Sequence, residues 1–241
     1  MSFTGNMEYT HNLAAYGGGI SASYSSTMKF NGNCIFTNNS VIDGGAVYTE
    51  SSVLSFQGRN TFSGNSAQYS AGGVYSRNST LTFSGSTNFS SNTGQLLGGG
   101  IYGFGTLLYF TGNCSFTANS AARGGGEYLI NSFNFVTEGA SVTMDGNNAT
   151  KYGGAVYVED SHPISYCFPD ITNLEGCFFQ VDGLLQISFE ELERLAILDR
   201  AAIQEFLQLN ESTAQAIRTL LIYIFPTIMH RKLAVQCLVV Q

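Results

Sequence analysis

Few side chains in this sequence can do acid–base work. Asp43, Glu50, Glu127 and Glu159 stand beside glycine-rich stretches. Cleaving a glycosidic bond takes two carboxyl groups, or one with an Arg or Lys, held within reach of a single bond. These four fall in different columns of a repeat or several units apart, which reads as solvated turn acids. Only Glu138, Asp145, Glu159 and Asp160 gather around one irregular unit and can approach one another. They leave a polysaccharide lyase or hydrolase open as the alternative function. His11, His162 and His230 lack metal-ligand spacing, and no Ser/His/Asp arrangement can be assigned. Gly98-x-Gly100-x-x-Gly103 spells a dinucleotide fingerprint, but no βαβ unit surrounds it and its glycines recur throughout. The sequence therefore assigns no catalytic residue, cofactor or metal.

The elements that position these residues are copies of one unit. Gly44-Gly45-Ala46-Val47-Tyr48 returns as Gly98-Gly99-Gly100-Ile101-Tyr102 and Gly153-Gly154-Ala155-Val156-Tyr157. The last positions, Ser21, Tyr48, Tyr75, Tyr102, Tyr128 and Tyr157, are 27, 27, 27, 26 and 29 residues apart. A fixed period of this size means stacked units. Each unit also carries an apolar-x-Phe pair, giving the column Phe30, Phe56, Phe83, Phe110 and Phe135. A second aromatic follows at Tyr9, Phe36, Phe62, Phe89 and Phe116, with an asparagine three residues later: Asn12, Asn39, Asn65, Asn92 and Asn119, and Asn148 as the sixth. Leu54 and Phe56 alternate with Ser55 as a strand requires, Gly58 and Asn65 mark turns, and Gly72-Gly73-Val74-Tyr75 opens a further strand. The expectation is three short strands and three corners per coil, with no room for a helix. Parallel stacking about 4.7–4.9 Å apart puts like residues above one another. The asparagines then take left-handed corners and form an amide ladder.

The tyrosines Tyr48, Tyr75, Tyr102, Tyr128 and Tyr157 have two readings. With Val47 and its equivalents pointing inward they form an outward stripe able to meet a sugar or protein surface, or a purely structural stack. Glu127, replacing the aliphatic in one coil, leaves the parity open.

Composition divides the 241-residue chain. Residues 1–160 are rich in Gly, Ser, Asn, Thr and Phe and form the repeat domain. Residues 161–187 read as a cysteine-containing connecting loop and 188–241 as a helical tail. In that tail the Ser188-x-x-Glu191 capping box opens a helix from Phe189 to Leu209, and a second helix runs from Ser212 to Phe225. A true cap and a misjoined segment both remain open for the tail. Thr219 to Met229 is too short for the ~20 residues that span a bilayer. A net charge of -7 without any basic cluster argues against a nucleic-acid partner. Cys34 and Cys114 share a column three coils apart, roughly 14 Å, too far for a disulfide. Cys167 and Cys177 are close enough in sequence to pair, or to stay free. Sequons at Asn38, Asn78, Asn88, Asn113 and Asn148 fit a glycosylated extracellular surface. No signal peptide is visible, and Met1 lies inside a unit, which reads as a piece of a longer solenoid.

A GGA[IVL] tetrapeptide alternating with F-x-x-N, here Gly44 to Val47 and Gly153 to Val156 with Phe36 to Asn39, Phe62 to Asn65, Phe89 to Asn92 and Phe116 to Asn119, resembles the polymorphic outer membrane protein repeat. That family includes chlamydial autotransporters and secreted repeat proteins of sponges and cnidarians. Over residues 1–160 the resemblance implies a right-handed parallel β-helix of about six coils. It also implies a structural, adhesive or recognition role at a cell surface, toward a surface protein or glycan. The tail lacks the alternating segments of a β-barrel translocator, so the secreted version fits better. Gly124-Gly125-Gly126-Glu127 departs from the rule.

Overall fold

The computed structural model describes residues 1–137, 139–160, 178–181 and 185–188. The repeat winds as a parallel β-solenoid of about six coils, and its strands stack into four sheets. The first holds Ser2–Phe3, Thr27–Phe30, Val53–Phe56, Thr80–Phe83, Leu107–Phe110 and Phe133–Val136. The second holds Met7–Thr10, Cys34–Thr37, Asn60–Ser63, Thr87–Ser90, Cys114–Thr117 and Val142–Asp145. The third is a narrow sheet of Ser40–Val41, Ser66–Ala67, Thr93–Gly94, Ser120–Arg123 and Asn148–Tyr152. The fourth, the glycine sheet, runs through Ile20–Ala22, Val47–Glu50, Val74–Arg77, Ile101–Phe104, Glu127–Ile130 and Val156–Asp160. A coil thus has four strands where three were expected. The extra one is often only two residues long, too short for alternation to betray it.

Period-two alternation puts two aromatic columns inside. Phe30, Phe56, Phe83 and Phe110 stack with ring centroids 4.8, 5.3 and 5.5 Å apart. Phe36, Phe62, Phe89 and Phe116 stack at 4.6–4.7 Å. The columns meet edge to face, as at Phe56 and Phe62 with an interplanar angle of 82°. Such pairs contribute about 0.5–1.5 kcal/mol each beyond area burial, and all eight rings are fully buried.

The corners are closed by side-chain ladders. Each ladder asparagine gives its backbone N–H and its Nδ2 to Oδ1 of the next, from Asn12 through Asn39, Asn65, Asn92 and Asn119, and from Asn39 onward each also sends Nδ2 back to a carbonyl such as Phe62 O. Two details correct the sequence reading. The sixth rung is Asn147, which takes both donors of Asn119 at 3.0 and 2.9 Å, while Asn148 is exposed. And the left-handed residue is the one before each asparagine: His11, Asn38, Gly64, Ser91, Ala118 and Gly146. A second ladder was not foreseen. Ser52, Ser79, Thr106 and Ser132 cap the corner after the glycine sheet, each hydroxyl bonding a carbonyl two residues back.

Phe135 does not continue the phenylalanine column. Phe110 pairs with Val136 and Leu108 with Asn134, so Phe133 and Phe135 face outward, Phe135 stacking on Tyr109 at 4.9 Å. The corner decides this. Asn131-Ser132 repeats the turn of Asn78-Ser79, with the first residue left-handed in both, and leaves Phe133 in register with Leu107. Beyond the repeat, Phe178–Val181 adds in parallel to Val156–Asp160, and Leu185–Ser188 returns antiparallel. The stretch read as a connecting loop therefore contributes strands to the glycine sheet. The helices expected after Ser188 lie outside the described residues, as do Cys167 and Cys177. No helix among the described residues is long and apolar enough to cross a membrane.

Candidate functional site

The outward face of the glycine sheet carries a column of stacked aromatic rings with charged groups beside it. Val47, Val74, Ile101 and Val156 point inward and are buried, and Glu127 points inward with them. Parity then turns every tyrosine of the column outward. Tyr48, Tyr75, Tyr102, Tyr128 and Tyr157 stack at 4.9, 4.8, 5.7 and 5.0 Å. The stripe is only partly open, however. Tyr48 and Tyr75 are half-buried, whereas Tyr102, Tyr128 and Tyr157 are buried among Ala71, Leu97, Phe104, Ile130 and Tyr152. Near-parallel stacking also covers the ring faces with one another. What the open end presents is ring edges and phenol hydroxyls, suited to hydrogen bonding and not to stacking a sugar ring.

Charged groups surround that open end. Tyr48 OH donates to Glu50 Oε2 at 3.2 Å, and Glu50 Oε1 lies 3.5 Å from Arg77 Nη1. Arg77 also sits over the Phe104 ring at 5.7 Å. Asp43 Oδ1 accepts the Ser70 N–H at 2.9 Å, and burial still raises its carboxyl against that bond. Burial pushes the Tyr48 phenol up to about 12, with Glu50 adding to it. Tyr75 is raised first by burial and then by Asp43 and Glu50, Arg77 opposing. So Asp43 and Glu50, which sequence columns separate, converge on one phenol. Tyr16 flanks them, exposed and tilted 52° from Tyr48 at 5.1 Å. Neither Tyr16 nor Arg77 was singled out by sequence, because no residue type dominates their columns, which run through Asp43, Leu97 and Arg123 and through Glu50, Phe104 and Ile130.

The other acids are dispersed. Glu159 accepts the Tyr128 hydroxyl at 2.5 Å, Asp145 is exposed, and Glu127 is sealed in the interior. Glu138 lies outside the described residues. No group of three or more His, Cys, Asp or Glu able to hold a metal occurs among the described residues. Cys34 and Cys114 are buried free thiols in one column, and burial raises Cys34 to about 11. Of the sequons, Asn38, Asn78, Asn113 and Asn148 are exposed and Asn88 is half-buried.

These features define a parallel β-solenoid repeat protein with a tyrosine-backed outer face. Within it, residues 33–50 and 141–159 match the Chlamydia polymorphic membrane protein (Chlamydia_PMP) repeat. The second match spans Met144-x-x-Asn147, where methionine replaces the aromatic before the sixth rung, the spacing that identifies Asn147. Comparison with curated proteins and with solved structures gave no match.

Proposed function

We propose that this chain is a non-catalytic recognition and adhesion element of an extracellular or cell-surface protein, a right-handed solenoid of the secreted polymorphic-membrane-protein type. The right-handed sense is the one expected of parallel strands joined within a sheet. The carrying observation is the open end of the tyrosine face. Tyr16, Tyr48, Tyr75, Asp43, Glu50 and Arg77 offer phenols, carboxylates and a guanidinium in one patch backed by a stacked column. Such a patch suits a hydroxyl- or amide-bearing surface, a glycan or a protein. Exposed sequons support an outside location.

The experiment immobilises the full chain, screens it against glycan arrays and whole cells, and repeats the screen with Tyr48→Phe and with the double variant Glu50→Gln/Arg77→Met. Phe keeps the stack and removes only the hydroxyl. Binding that weakens about tenfold or more, a loss of about 1.4 kcal/mol, at unchanged melting temperature supports the reading. Binding untouched by both variants moves the site elsewhere, and depolymerisation of a polysaccharide revives the enzyme alternative.

A further inference from the structure

Glu127 occupies the inward position held by Val47, Val74, Ile101 and Val156 in other coils, and it is fully buried. Facing it is Asn134, also buried, in the position of Leu54, Leu81 and Leu108. Asn134 Nδ2 donates to Glu127 Oε2 at 3.1 Å, and the atoms left without a partner are Glu127 Oε1 and Asn134 Oδ1. With an ionised carboxylate both would be sealed acceptors, a costly arrangement. A proton on Oε1 turns that atom into a donor, and the unpartnered Oδ1 of the same amide is the acceptor that such a donor needs. Among the described residues no countercharge competes for the carboxyl. The strands on either side offer Ile101 and Gly103, and Val156 and Val158, and the core adds Val136, Val142 and Met144. Cys114 is the titratable group facing it among the described residues, and burial alone is enough to keep that thiol neutral. Burial also lifts the Glu127 carboxyl to about 8, the Asn134 bond opposing.

We propose that Glu127 is carried as a neutral carboxylic acid joined to Asn134 in a cyclic acid–amide pair, a proton-held clasp in the fifth coil that opens on the alkaline side. Unfolded, the carboxyl titrates near 4.5; folded, near 8. The clasp's contribution is therefore complete below about 4.5 and declines as pH rises, by about tenfold in the folding constant per unit, until it is spent above about 8.

The test is urea unfolding of the full chain from pH 5 to pH 9, on wild type, Glu127→Gln, and the double variant Glu127→Ile/Asn134→Leu, which restores the pattern of the fourth coil. The wild type is expected to lose stability steadily to about pH 8 while both variants stay nearly flat. The difference between them removes the contribution of Asp43, whose carboxyl is also raised. An infrared band of a protonated carboxyl should persist in wild type at pH 7, vanish by pH 10, and be absent from Glu127→Gln. Equal slopes in wild type and variants overturn the proposal, as does a wild type without that band at pH 7. The wild-type band decides alone if neither variant folds.

Discussion

At the scale of the residue, asparagine suits its ladder because one short amide donates twice and accepts through a second atom. Asn92 shows the consequence. It bonds Asn119 Oδ1 and Phe62 O and accepts both donors of Asn65, with no exposure. Asn92→Ala leaves two donors and a carbonyl sealed without partners, and we expect a loss of about 3–5 kcal/mol in urea unfolding. Asn12→Ala, on the exposed first rung, should cost about 1 kcal/mol or less. Aspartate at position 92 would not rescue it, since it has no Nδ2 to give. The two inward thiols make a second expectation. Cys34 and Cys114 should resist a thiol reagent in the native chain and react fully in denaturant, read by peptide mapping, because burial raises both.

At the scale of the element, the glycine run explains itself by space and by dihedral. Gly44 has φ +67, and a Cβ on Gly45 would lie 2.0 Å from the carbonyl oxygen of Gly72 in the next coil. Backbone cannot yield there, so Gly45→Ala should destabilise by about 3 kcal/mol or more. Gly5→Ala, with open space around it and no positive φ, should stay within about 0.5 kcal/mol of wild type; parallel thermal melts compare the two. Much of this was legible. Columns of phenylalanine and asparagine announce themselves because the same type recurs at one spacing. The fifth coil was misread because Phe133 and Phe135 match the column by type, while the Asn131-Ser132 corner sets the register. The hydroxyl ladder went unseen because serine and threonine are too common in this chain for their spacing to carry a signal. The patch of Asp43, Glu50 and Arg77 was only half visible, since convergence across coils depends on which face each strand turns outward.

At the scale of the molecule, each coil touches only its neighbours, so stability is close to a sum of coil and interface contributions. Removing residues 57–83 joins Phe56 to Ser84, just as Phe83 was joined before, and Phe56 and Phe83 are register partners. The shortened chain should keep a β circular dichroism spectrum and melt at a lower temperature, while removing one residue more or fewer should turn the joined strand's side chains over and cost far more. The asparagine ladder adds something to this. Every rung from Asn39 to Asn119 gives to the next coil and receives from the one before, so the ladder sets no partner that a neighbouring coil could mismatch. Misaligned recombination between the repeated stretches of the gene would thus add or drop whole turns and still leave each ladder amide with a partner. Length along the stack is a quantity such a lineage can change in steps of about 4.8 Å, without inventing a single new contact.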